Sequence, residues 1–329
     1  MITTLRLIGL SLGLTFFTSS ALAIDCARAV TVVENTLCSV PQLVWLDSVL
    51  NDSYRARLQD NPQHLDKKVG EWRQLRDGCT STNCLRSAYF KGISELFDAD
   101  RPFDWKGEWW NSTAINGNGG HIIINRSAEW GFRMDATLWG GVYKANFSGD
   151  ASKFYGLGFV NNIAWGGKCT ILMMPRLDGK IDVSSDSSGS CGLLMPGGIA
   201  IDGTYVRADK DPRPAQTLLS LGIFPDKALD DRFHTLVGAE YINYVQTANN
   251  VLYGQDLDNI GASVLNLSVK GQANRKSAII MYTPNGKIWA MRVQPDANQR
   301  VKISYTTTEQ QNKSLPKTLE AWRTLFVNE

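Results

Sequence analysis

The chain is poor in histidine, in net charge and in long apolar runs, and each shortage excludes a class of function. Only His64, His121 and His234 occur in 329 residues. They stand far apart, and none has a Ser, Cys or Asp neighbour that points to a catalytic triad. The zinc-binding HExxH pattern, the phosphate-cradling glycine loop and the GxSxG nucleophile elbow are all missing. Lys and Arg number 34 against 32 Asp and Glu, a net charge of +2, whereas a dedicated nucleic-acid binder carries a clearly basic face. One acidic doublet, Asp256-x-Asp258, lacks the remaining ligands of a calcium loop and reads as a solvated turn. The expectation is a protein that is not an enzyme, uses no cofactor and no metal, and binds no nucleic acid. With 43% hydrophobic and 20% charged residues, the composition is that of an ordinary globular chain. It excludes disordered, collagenous and coiled-coil classes.

The one long apolar stretch opens the chain. In Met1–Ala23, Arg6 supplies a positive start, Leu7–Phe17 an apolar core, and Ala21-Leu22-Ala23 a small-x-small cleavage site, the layout of a secretory signal peptide. Its core is too short to span a bilayer. Asp25 does not suit a lipidation site at Cys26. The expected mature protein begins near Ile24, is periplasmic or secreted, and is not membrane-anchored. All six cysteines (Cys26, Cys38, Cys79, Cys84, Cys169 and Cys191) follow the leader, which predicts three disulfides.

Residues 24–100 read as helical. Leu43, Leu46, Leu50 and Tyr54 recur three and four apart, Val69, Trp72 and Leu75 mark a second helix over 65–76, and a third runs over 85–96. Antiparallel packing of the first two predicts Cys38–Cys79, with Cys26–Cys84 as a nested second bridge. A unit of this size buries little surface alone, so staples make sense.

Residues 101–210 change to short alternating runs rich in Gly and Trp. Strands are predicted at 107–113, 121–125, 130–138, 142–148, 153–160, 167–174, 180–183 and 203–208, with turns at Asn116–Gly119, Ser148-Gly149-Asp150 and Asp178-Gly179. Eight such strands predict an up-and-down antiparallel β-barrel, with Cys169–Cys191 tying the Asp178-Gly179 hairpin. Trp109, Trp110, Trp130, Trp139 and Trp165 cluster here and read chiefly as core filling. Gly107-x-Trp109 at the first strand and Arg207 at the end of the last resemble the floor of lipocalin-like barrels, where the Arg packs over the Trp. Residues 211–329 read as an α+β domain: a helix over 230–249, strands at 262–269, 277–282, 288–293 and 301–305, and a last helix over 318–326. The fold class is multi-domain α + β.

The helical region carries a recognisable order: Cys26, Glu34-x-x-x-Cys38, Pro41-x-Leu43-x-x-Leu46-Asp47-x-x-Leu50, Tyr54, Trp72-x-x-x-Arg76-Asp77-x-Cys79, Cys84-Leu85, Tyr89 and Ile93. It resembles the N-terminal domain of the lysozyme inhibitor LprI family over residues 26–97. Gly92 stands where that family often has Arg. Most matching positions read as scaffold, with Asp47 and Arg76 expected to form an inter-helix ion pair and Glu34 a further polar exception. The segment Phe233-x-x-Leu236-Val237-Gly238, Ser277–Pro284 and Gly286-x-Ile288-Trp289 is similar in layout to the inhibitor of vertebrate lysozyme. That family's inhibitory loop corresponds here to residues 270–276, without its Cys or His. Lys270, Gln272, Asn274, Arg275 and Lys276 are therefore the candidate partner contacts. The resemblances imply a periplasmic protein that binds lysozyme or a similar muramidase and blocks its cleft. The alternatives are a small-ligand or glycan binding protein using the barrel, and an immunity protein against a peptidoglycan-degrading toxin.

Overall fold

In the computed structural model of the protein, residues 23–58, 62–115, 117–163, 167–186, 190–311 and 314–326 are described. The expected leader, apart from Ala23, and Trp165 lie outside them. Four helices come first: α1 (Val32–Ser39), α2 (Pro41–Arg57), α3 (Pro62–Asp77) and α4 (Thr82–Phe97). Helix α1 has too few apolar repeats to be read from the sequence. It is held by a reciprocal cap, in which the Thr31 hydroxyl accepts from the Glu34 amide and the Glu34 carboxylate accepts from the Thr31 amide. Pro41 at the first turn of α2 supplies a fixed φ where no amide hydrogen is needed.

The bridges in this region differ from the expected Cys26–Cys84 and Cys38–Cys79. The structure joins Cys26 to Cys38 and Cys79 to Cys84, with Cα atoms 5.5 and 5.4 Å apart. Unforeseen helix α1 carries Cys38 back toward the turn at Cys26, and the tight α3–α4 connection brings Cys79 against Cys84. Both are local staples rather than ties across the bundle. The third bridge joins Cys169 to Cys191.

Eight strands then form a closed antiparallel barrel in chain order: β1 (Gly107–Asn111), β2 (Gly119–Ser127), β3 (Gly131–Gly140), β4 (Tyr143–Phe154), β5 (Leu157–Ile163), β6 (Ile171–Pro175), β7 (Ile181–Ser185) and β8 (Gly203–Arg207). β1 closes on β8 with Trp109 opposite Arg207. Alternation sends Phe132, Met134, Ala136 and Leu138 of β3 inward. With Trp109, Ile122, Ile124, Ile171, Met173 and Tyr205 they make one buried cluster that fills the lumen. The Ser148-Gly149-Asp150 turn is not formed. β4 runs through it, and the chain reverses at Tyr155-Gly156, with φ of 50° and 76°. A Cβ on Gly156 would lie 1.9 Å from the Ala99 carbonyl oxygen, so this hairpin presses against the chain leaving α4.

The core of the four helices is not closed by the helices alone. Leu37, Leu46, Trp72, Tyr89, Phe90 and Ile93 pack in one buried cluster with Leu157 and Phe159 of β5 and Leu172 and Met174 of β6. These four barrel residues point outward from the wall, and one hydrophobic core spans the boundary expected at residue 100.

After a short helix α5 (Cys191–Leu194), α6 (Lys227–Val237) and α7 (Tyr241–Thr247) replace the single helix expected over 230–249. Gly238, at φ 55°, breaks the run. The following residues form an unpredicted strand β9 (Asn250–Gly254), the edge of an antiparallel sheet completed by β10 (Ser263–Ser268), β11 (Ser277–Tyr282), β12 (Ile288–Pro295) and β13 (Val301–Thr307) in the order β13-β12-β11-β10-β9. Phe233, Tyr244 and Val245 cover one face of this sheet. Leu319 and Trp322 of α8 (Lys317–Arg323) cover the other.

Candidate functional site

Where the barrel rim meets the C-terminal sheet, five separate stretches of chain surround a cavity of about 600 Å³. Gly117 and the β3–β4 turn at Gly141-Val142 come from the barrel. Asn243, Gln246 and Thr247 come from α7. Gln272, Arg275 and Lys276 come from the β10–β11 loop, and Arg292, Gln294, Asp296 and Gln299 from β12 and the turn after it.

Two of these walls are held by local contacts. The β10–β11 loop folds on itself through Gln272 N to Val269 O at 2.9 Å and Lys276 N to Gln272 O at 2.7 Å. It is also buttressed by the barrel: a Cβ on Gly141 would sit 3.0 Å from the Lys270 carbonyl oxygen. Asp296 shapes the β12–β13 turn by accepting from Asn298 N at 2.8 Å and Arg300 N at 2.9 Å. The Arg300 backbone bond, with help from Asn298, holds its carboxyl below the ordinary aspartate range.

The polar character is cationic and carboxamide-rich. Arg292 is only 4% exposed and donates to Glu240 and to Gln294; its guanidinium lies 5.9 Å from the Tyr244 ring. Burial pushes the Tyr244 hydroxyl well above its ordinary range. Arg275 donates to the Gln299 carbonyl. Two buried atoms of opposite type, the Arg292 Nε donor and the Gln272 Oε1 acceptor, have no hydrogen-bond partner among the described residues. Arg and Lys recognise carboxylate or phosphate, and carboxamides both donate to and accept from hydroxyl and acetamido groups.

Of the candidate contacts, Gln272, Arg275 and Lys276 line this cavity, Lys270 rests against the barrel rim, and Asn274 is exposed away from the wall. Arg292 and Gln294 were missed. Their signal was an arginine inside the otherwise apolar run Ile288–Val293.

At the far end of the barrel, the Arg207 guanidinium lies 4.8 Å from the ring of Trp109, which is fully buried. The indole donates to the Trp105 carbonyl at 2.9 Å, and Arg207 donates to Asp104 at 2.8 Å. This Arg207 bond holds the Asp104 carboxyl below its usual range.

In the helices, Glu34 serves the α1 cap. Trp72 meets Tyr89 edge-on at 5.3 Å. Gly92 makes room for it, since a Cβ there would lie 2.3 Å from the Trp72 ring. The expected Asp47–Arg76 ion pair is not formed. Arg76 bonds Asp77 at 2.7 Å and lies 5.0 Å from the Trp72 ring. Asp47, 2% exposed, accepts instead from the Ile24 amide at 2.9 Å, the Tyr89 hydroxyl at 2.8 Å and Asn51 at 3.1 Å. The Asp256 and Asp258 carboxylates are spent on backbone amides, Asp258 on Lys317 N and Thr318 N at 2.8 and 2.9 Å.

No protein-family model matches this chain, and no curated protein or solved structure matches it.

Proposed function

We propose that this is an exported binding protein whose working site is the cavity at the barrel rim, and that it takes an acidic, hydroxyl- and amide-bearing saccharide of the cell wall. The observation that carries the reading is the cavity lining itself, in which Arg275, Lys276 and Arg292 stand beside the carboxamides of Gln272 and Gln294. The volume, about 600 Å³, lies within the roughly 300–1,000 Å³ of ordinary ligand sites. The barrel itself is lipocalin-like in its Trp109–Arg207 floor. The lumen is filled by side chains, which is why the proposed site is the rim and not the barrel interior.

Calorimetry with two disaccharides of similar size tests this: N-acetylglucosaminyl-N-acetylmuramic acid, which bears a carboxylate, and neutral chitobiose. The acidic sugar is expected to bind more tightly, with Lys276→Met weakening it several-fold and added salt weakening it further. Equal binding of both sugars, or of neither, refutes the reading.

The second reading is inhibition of a lysozyme or other muramidase, including an immunity role against a peptidoglycan-degrading toxin. What favours it is the ordered resemblance over residues 26–97, whose matching apolar positions Leu43, Leu46, Leu50, Trp72, Leu85 and Ile93 build one core. A lysozyme cleft presents two carboxylates and requires a projecting loop, whereas the 270–276 loop is docked on the barrel rim. A lytic assay on peptidoglycan with animal and bacterial muramidases decides: unchanged lysis removes this reading.

A further inference from the structure

We infer that Ala23–Ile24 is the maturation bond of this chain, and that the α-ammonium released on Ile24 is the counter-ion of the buried Asp47 carboxylate. The inference rests on the export part of the proposed function and not on the cavity. Hydrolysis by a leader-removing peptidase breaks the bond between the Ala23 carbonyl carbon and the Ile24 nitrogen. One water is consumed, leaving a carboxylate on Ala23 and an ammonium on Ile24.

Three observations meet at this point. First, the Ile24 nitrogen already lies 2.9 Å from Asp47 Oδ2. The Ile24 side chain packs against the helical core, whereas Ala23 on the scissile side is exposed. The ion pair therefore forms without movement. Second, Asp47 is buried, yet the groups that touch it are neutral: a peptide amide, the Tyr89 hydroxyl and the Asn51 carboxamide. The nearest guanidinium, Arg76, is engaged by Asp77. A buried carboxylate without a touching cation is costly, and burial raises the Asp47 carboxyl above its ordinary range. Third, the Asn51 oxygen in the same cluster is buried and has no hydrogen-bond partner among the described residues. A peptide nitrogen brings one proton here; an ammonium brings three protons and the missing charge. The consequence is directional: the precursor carries a buried acid that no cation touches, and leader removal ties the start of the chain to Asp47 on α2.

The test uses the whole mature chain in two forms, one released by a protease that leaves Ile24 as the first residue and one with Gly-Ser ahead of Ile24. Intact mass of the exported protein is expected to place its first residue at Ile24. The free-amine form is expected to melt roughly 5–10 °C above the extended form, and Asp47→Asn to remove that gap. N-terminal acetylation of the free-amine form, which needs no substitution, should reproduce the extended form. A first residue other than Ile24, equal melting of the two unsubstituted forms, or a gap that survives Asp47→Asn overturns the pair. None of these readouts involves a ligand, so failure of the cavity reading leaves them untouched.

Discussion

Leu172→Ala tests whether the helices and the barrel are one folding unit. Leu172 sits on β6, where alternation points its side chain out of the barrel, opposite in sense to inward Ile171 and Met173. On a free-standing barrel such a position faces water, and its truncation changes stability by less than about 0.5 kcal/mol. Here Leu172 is fully buried in the same cluster as Leu46, Tyr89 and Ile93. Truncating it removes apolar contact and leaves a cavity between two rigid surfaces, which costs about 2–5 kcal/mol. For a unit of this size each kcal/mol lowers the melting midpoint by about 2–4 °C, so a fall of roughly 5–15 °C is expected. Urea unfolding followed by tryptophan fluorescence and by far-ultraviolet circular dichroism should move together, because losing the joint exposes both halves of the core. Unchanged midpoints, or a helical transition that separates from the barrel transition in the unsubstituted protein, would falsify the shared core. The same reasoning holds that a fragment of residues 24–100 does not fold stably alone.

Trp109→Ala should destabilise by about 3–5 kcal/mol, since a fully buried indole is lost, with Trp109→Phe costing much less; a melting curve unchanged by the alanine would remove the floor from the account. Non-reducing peptide mapping is expected to find Cys26 with Cys38, Cys79 with Cys84 and Cys169 with Cys191, and a peptide joining Cys38 to Cys79 would contradict it. Asp258 is raised by burial, but the hydrogen bonds from Thr318 and Lys317 outweigh this and hold its carboxyl below the ordinary value. Its contribution to anchoring α8 is therefore present above the unfolded aspartate value of about 3.9 and lost as pH falls through the lower folded value. Asp258→Ala should cost about 1 kcal/mol at neutral pH and nothing extra in acid, and a constant loss at every pH would count against this capping role.

The barrel was legible because its strands alternate and its turns are rich in glycine, yet composition could not tell one glycine from another. Ser148-Gly149-Asp150 has the chemistry of a turn, but Gly149 lies within a strand, where a Cβ would meet Val160 at 2.5 Å. The reversal falls instead at Tyr155-Gly156, one residue of which is a poor turn former. Helix α1 is eight residues long and turns only Val33 and Leu37 to the core, too few repeats for periodicity to reveal it, and without it the cysteine pairing went astray. The cavity was half legible. Arg275 and Lys276 stood out as cations in a loop, but Arg292 takes its meaning from Glu240, 52 residues away, and from a barrel turn more distant still. Contacts of that separation leave no local pattern.

The three bridges join each cysteine to the next one along the chain. On the export proposed above, a chain delivered N-terminus first into an oxidising compartment would meet its cysteines already sorted into native couples. Each couple can close before a later thiol arrives to compete, so oxidation in order of arrival yields the native set among the 15 possible pairings. On that route correct oxidation asks for an oxidant alone.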